Sequence, residues 1–143
     1  MIPPFAVKRA DWIRDLAQLR HVRESVFVRE QQVPLDLEWD EMDPVSVHVL
    51  AIDADGAPIG TGRLLPDGHI GRMAVLAAWR GQGVGGALLA ELMRIARERE
   101  LAEVVLNAQV PAIGFYSRHG FAVEGAEFLD AGIPHRTMRR ALV

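Results

Sequence analysis

The chain has no cysteine among its 143 residues. Disulfides, thiolate nucleophiles and cysteine-based metal sites are therefore excluded. No apolar run is long enough to span a bilayer, and no N-terminal block resembles a signal peptide. The expected location is the cytoplasm. Internal repeats and low-complexity segments are also missing. Five histidines are present, His21, His48, His69, His119 and His135, but none shows a ligand spacing such as H-x-x-x-H, so no metal site is expected. Basic charge is not in excess either: the formal net charge is -3 and the pI about 5.9. A phosphate backbone needs clustered Lys and Arg, which argues against nucleic acid as a partner.

What is present suits a globular protein. Hydrophobic residues make up 50% and charged residues 24%, enough apolar material for a real core. The length fits one domain over residues 1–143. Pro4 to Arg9 reads as a first strand. Asp11 is a plausible N-cap, and Trp12 to about Arg29 has helical spacing, as one helix or two in succession. Pro34 stops it. Leu35 to Pro44 is rich in Asp and Glu and reads as a solvated loop, with a second reading as an attractor for a cationic amine. Trp39 within it must bury its ring somewhere. Three strands joined by tight turns follow, from Val45 to Val75, with Asp55-Gly56 and Pro66-Asp67-Gly68 as the turns. A helix over Val84 to Glu100 comes next, with Leu88, Leu92, Ile95 and Ala96 on one face. Val104-Val105-Leu106 reads as a buried strand that, reached through a helix, can pair in parallel with the third strand of the meander. A short helix from Pro111 to His119 and two closing strands, Phe121 to Glu127 and His135 to Leu142, complete a mixed α/β sheet.

Between the third meander strand and the long helix lies Arg80-Gly81-Gln82-Gly83-Val84-Gly85-Gly86. A glycine turn at a helix N-terminus presents unpaired N–H groups and roughly half a positive charge, which favours a phosphate or pyrophosphate. Read from Gly81, the letters satisfy the dinucleotide pattern G-x-G-x-x-G, and Glu103 lies about 20 residues on. The context is wrong for that reading, because an antiparallel meander precedes the turn. A Walker A loop is excluded, since no Gly-Lys-Ser/Thr follows.

Read from Arg80, the turn is R-x-x-G-x-G, and the chain resembles the GNAT family of acetyl-CoA-dependent N-acetyltransferases. Gly71-Arg72-Met73-Ala74-Val75 is similar to that family's cofactor-binding strand. Gly114-Phe115-Tyr116-Ser117-Arg118-His119-Gly120-Phe121 is similar to its F-Y-x-x-x-G-F segment. Val26-Phe27-Val28-Arg29-Glu30-Gln31 and Gly132-Ile133-Pro134-His135 further resemble the ElaA-type branch. The resemblance implies a GNAT-like fold, with an antiparallel meander and two splayed parallel central strands.

It also implies transfer of an acetyl group from acetyl-CoA, the cosubstrate, to an amine by direct attack in a ternary complex. The pyrophosphate would lie on the N–H groups of Gly81, Gln82, Gly83, Val84, Gly85 and Gly86, with Arg80 adding a charged contact. The pantetheine arm would bond to the backbone of Met73, Ala74 and Val75 and to Asn107, and an N–H near Val75 would face the developing oxyanion. Tyr116 is the general-acid candidate: a phenol is protonated at neutral pH and can donate to the departing thiolate.

Glu30, Glu41 and His135 are candidates for the general base that must take a proton from the amine. For each the simpler reading is an ordinary surface charge, or for His135 a hydrogen-bonded structural residue, and a chain of waters could replace all three. The acceptor is a small-molecule or peptide amine, and similar proteins are often homodimers. Two alternatives keep the fold: a transferase using another acyl-CoA or a non-amine acceptor, and a non-catalytic acyl-CoA-binding sensor.

Overall fold

The computed structural model describes residues 4–143. Its frame is one seven-stranded sheet in the order β1-β2-β3-β4-β5-β7-β6. The strands are β1 (Phe5–Ala10), β2 (Val47–Asp53), β3 (Pro58–Leu64), β4 (His69–Val75), β5 (Glu103–Gln109), β6 (Ala122–Asp130) and β7 (Ile133–Ala141). All neighbours pair antiparallel except β4 and β5, which run parallel. A β4-to-β5 connection in parallel needs a crossover, and the helix α3 (Val84–Glu98) supplies it. With a single parallel pair there is no Rossmann sheet, so the dinucleotide reading of the glycine turn falls away.

Helix α3 packs against one face of the sheet. Leu88, Leu89, Leu92, Ile95 and Ala96 are all essentially inaccessible. Burying each leucine or isoleucine is worth roughly 1.5–3 kcal/mol. The helix comes unusually close to β3 because two strand positions there are glycine. A Cβ on Gly62 would lie 2.6 Å from Met73 Sδ and 2.9 Å from Leu92 Cδ1, and one on Gly60 would lie 2.9 Å from Leu88 Cδ1. The opposite face is covered by α1 (Leu16–Arg23) and its continuation, whose Val22 and Val26 pack on Ala74.

The first helical stretch differs from its expected form. The Asp11 carboxylate accepts from Ile13 N and Arg14 N, at 3.0 and 2.7 Å, and so caps a turn, while regular helix starts only at Leu16. From Glu24 to Glu30 the helix widens to π geometry. Such segments are uncommon and cluster at functional sites.

The acidic segment is not a solvated loop. It holds a four-residue helix, α2 (Leu35–Glu38), and a 3-10 turn over Asp43–Val45. Glu38 and Asp43 are buried against Arg23, which is itself wholly inaccessible. Arg23 Nε donates to Glu38 Oε1 at 2.6 Å, and its two amino nitrogens reach Asp43 at 2.9 and 3.3 Å and the Glu38 carbonyl at 2.8 Å. The Arg23 guanidinium lies 4.3 Å from the Trp39 ring centre. That contact and the neighbouring Trp12, 6.1 Å from Trp39, are where the Trp39 ring is buried. Composition alone made this stretch look solvent-loving; three arginines on α1, β3 and β4 pull it inward.

Candidate active site

The single parallel pairing is short. β4 and β5 are matched only at His69↔Val105 and Ile70↔Leu106. Beyond that, β4 runs on to Val75 and β5 to Gln109 without meeting. The gap opens into a cavity of about 460 Å³. Its walls come from Met73 on β4, Asn107 on β5, Tyr116 on α4 (Ile113–Arg118), Phe27 and Gln31 at the end of the first helix, and His135 on β7.

The glycine turn lies past the end of β4 and, like Ala74 and Val75, does not line this cavity, whereas Met73, Asn107 and Tyr116 do. Gly81 and Gly83 have φ of +76° and +89°, a conformation that side chains resist. Gly83 is the N-cap of α3, and the first intrahelical bond runs from Ala87 N to Gly83 O at 3.1 Å. The N–H groups of Val84, Gly85 and Gly86 precede it and have no partner within the helix. Gly85 and Gly86 serve packing as well: a Cβ on Gly85 would sit 3.4 Å from the Phe115 ring, and one on Gly86 3.3 Å from His119. Gln82 turns back to donate to the Ala78 carbonyl at 3.1 Å.

Arg80 is not free to meet a ligand in this state. Its Nε donates to the Val75 carbonyl at 3.0 Å, and its amino nitrogens hold both oxygens of Glu30 at 2.9 and 2.7 Å. Glu30 is thereby engaged as an ion-pair partner and does not line the cavity. Glu41 is exposed and also lies off the cavity wall.

Of the three base candidates, only His135 is on that wall. It is 8% exposed, and its ring stacks on Phe128 at 5.9 Å between centres. Nδ1 lies 2.6 Å from the Ile133 carbonyl. A carbonyl only accepts, so Nδ1 carries a proton, and in the neutral form of the ring the lone pair is on Nε2.

Tyr116 is nearly buried, edge-on to Phe115 and Phe121. Burial pushes its phenol up to about 12, so it stays protonated at neutral pH. Asn107 accepts from Thr137 Oγ1 at 2.9 Å through its carbonyl oxygen, which leaves its amide hydrogens available. Gln109 and Gln31 join their amides, at 2.9 Å in one direction and 3.4 Å in the other, and tie β5 to the end of the first helix. Among the described residues no three His, Asp or Glu side chains are gathered as a metal site would need.

Arg63, Arg72, Glu38, Gln31 and Gln109 also line the cavity, and sequence reasoning did not single them out. Arg72 stands inside the quoted strand Gly71–Val75, but its left-handed backbone, φ +49°, leaves no mark on the letters.

A sheet parted at one parallel pair, with a glycine turn and helix N-terminus beside the opening, defines the GNAT class of acyl-CoA transferase folds. The chain belongs to the GNAT acetyltransferase family: the model of the acetyltransferase (GNAT) domain matches residues 18–142. It is 42% identical over 124 residues to the uncharacterized N-acetyltransferase YjcF of Bacillus subtilis, covering 84% of this chain and 88% of that protein. The crystal structure of an acyl-CoA N-acyltransferase from Pseudomonas aeruginosa superposes with a TM-score of 0.82 at 35% identity, over 96% of this chain and 99% of that one. The structure of Escherichia coli ElaA superposes with a TM-score of 0.84 at 27% identity, over 96% and 99%.

Proposed function

We propose that the chain acts as one acyltransferase domain that moves the acetyl group of acetyl-CoA to an amine. The observation that carries this is Tyr116: a buried, protonated phenol on the wall of the cavity where β4 and β5 part. In the reading, the pyrophosphate lies on the N–H groups of Gly81–Gly86 and the pantetheine arm follows Met73, Ala74 and Val75, with Asn107 donating to it. The amine nitrogen attacks the thioester carbonyl. Its new C–N bond forms as the C–S bond breaks, Tyr116 gives a proton to the departing sulfur, and His135 Nε2 takes one from the nitrogen. His135 is preferred over Glu30 and Glu41 because it alone is on the cavity wall with an unshared ring lone pair.

Thermal unfolding with acetyl-CoA, CoA, NAD and ATP in parallel tests the cofactor. A ligand at about 100 times its dissociation constant adds roughly 2.7 kcal/mol of stability. Stabilisation by the two CoA forms is expected, and stabilisation by NAD alone would sink the reading. Thiol release in the presence of amines then separates a transferase from an acyl-CoA sensor, which would bind without turnover.

A further inference from the structure

One end of the cavity is built from arginine. Arg63 on β3 is 5% exposed. Its Nη1 is shared between Asp40 Oδ1 at 2.8 Å and Asp43 Oδ1 at 2.9 Å. Its Nε is buried with no partner, and among the described residues its Nη2 makes no hydrogen bond. Arg72 on β4 donates through Nε to the Glu38 carbonyl at 3.1 Å and through Nη2 to Asp40 Oδ2 at 3.3 Å. Its Nη1 is likewise unused. Asp40 thus holds one arginine on each of its oxygens, and the two guanidiniums stand side by side. Both line the cavity, as does His69.

Two features mark this pair as more than a structural anchor. Arg72 has φ +49°, which a residue with a side chain adopts only at a cost of about 1 kcal/mol or more. It sits where the β3–β4 register shifts, between Thr61 and Arg63, and the bulge is what aims the two side chains together. Second, the three arginines Arg23, Arg63 and Arg72 are matched in charge by Glu38, Asp40 and Asp43, but not in hydrogen bonds, because the pair keeps N–H groups that no acceptor takes. Burial, followed by repulsion from Arg63, holds the Arg72 pKa below its ordinary value despite Glu38 and Asp40. The nearby acids are already engaged: Arg23 takes Glu38 Oε1 and both oxygens of Asp43. His69 is paired with Asp67 at 2.9 Å outside the cluster. Asp130, the other acid on the wall, belongs to the β6–β7 hairpin. A guanidinium pair on the cavity wall, Arg63 buried and Arg72 about a quarter exposed, with unused donors, is a site for a planar anion that can bridge two N–H groups.

We propose that Arg63 and Arg72 form a carboxylate subsite, and that the acyl acceptor is a small amino acid whose carboxylate bridges them while its amine points to the parted strands. This rests on the acyltransferase reading. It distinguishes an amino acid from a polyamine or aminoglycoside, which carry no carboxylate.

The test compares ligands that differ only in that group. Calorimetry of the whole protein with CoA present would measure binding of N-acetylphenylalanine and N-acetylphenethylamine, and of N-acetylleucine and N-acetylisopentylamine. The carboxylate member of each pair is expected to bind roughly tenfold tighter or more, the scale of one charged hydrogen bond. The preference should vanish in Arg72→Met and return in part in Arg72→Lys. Equal binding within each pair, or no binding of the acids, overturns the subsite, and both readouts on the wild type require no variant to fold. Thiol release with phenylalanine against phenethylamine gives the same comparison in kcat/KM. If CoA binds and no amine is ever acetylated, acyl transfer fails as the function, while the binding comparison still decides the subsite.

Discussion

Arg80 and Glu30, 50 residues apart in sequence, form a two-pronged ion pair that ties the end of the first helix to the start of the glycine turn. Each is a candidate functional residue, and each occupies the other. On the proposed function, a diphosphate arriving at the turn would compete with Glu30 for the same guanidinium.

Glu30→Gln weakens that competition. The pair is about half exposed on both sides, and exposed pairs are worth roughly 0.2–1 kcal/mol. The variant is expected to bind CoA a few-fold more tightly by calorimetry, with kcat little changed. A collapse of kcat with unaltered CoA binding would instead make Glu30 the base.

Tyr116→Phe is expected to lower kcat about 10²-fold, the usual scale of a lost general acid, with CoA affinity within a factor of about two. Because burial lifts the phenol to about 12, Tyr116 remains protonated through the measurable alkaline range. Any alkaline fall in rate below about pH 10 therefore belongs to another group, and its midpoint should be the same in Tyr116→Phe. A midpoint that moves in the variant would contradict this.

Arg23→Met removes the cation that faces Glu38 and Asp43 inside the protein. Leaving buried carboxylates uncompensated costs about 3–5 kcal/mol. Urea denaturation at pH 7 should show a loss of that order, and a loss under about 1 kcal/mol would mean that the acids find other partners.

His48 sets the first step of acid unfolding. It is buried beside Trp12, with Nε2 donating to the Asp43 carbonyl at 2.8 Å and Nδ1 unpartnered. Burial lowers its pKa below the ordinary 6.5. Near pH 6.5 the unfolded chain takes up a proton that the folded chain refuses, so stability falls as pH drops from about 6.5 through the lower folded value. Burial is the largest influence on Asp43 and pushes its pKa up, but the Arg23 hydrogen bond and charge, the Asp40 N–H and Arg63 together hold it below 3.8, so it adds a loss only at still lower pH. Stability curves from pH 8 to 4 should show the His48 step and lack it in His48→Gln. A flat curve down to pH 5 would refute it.

Gly83→Ala puts a side chain at φ +89° on the N-cap of α3. Strain of about 1–2 kcal/mol is expected in the melting curve, together with weaker CoA binding. Gly114→Ala lies in open helix surface, where the nearest atom to a new Cβ is the flexible end of Arg118 at 3.6 Å. It should be close to neutral, so a comparable loss there would deny the glycine turn its special role.

The order of the strands and of the helices other than α2, the glycine turn and the Tyr116 segment were readable in the letters. Each is a local matter: alternation marks a strand, 3.6-residue spacing marks α3, and glycine marks a backbone that must turn left-handed. The family followed from two such local patterns at the right separation. Pairings between distant residues were not readable. Nothing near Glu30 announces Arg80, and the acidic run 36–43 gave no sign that arginines from α1, β3 and β4 would draw Glu38 and Asp43 out of water. The same holds for the bulge that turns Arg72 toward Arg63, because a backbone dihedral at one residue depends on the register of the neighbouring strand. Local chemistry writes the glycine turn and the Tyr116 segment into contiguous sequence. The arginine end of the cavity is assembled from side chains that meet only when the sheet closes, and Arg63 and Arg72 come to light only in the folded chain.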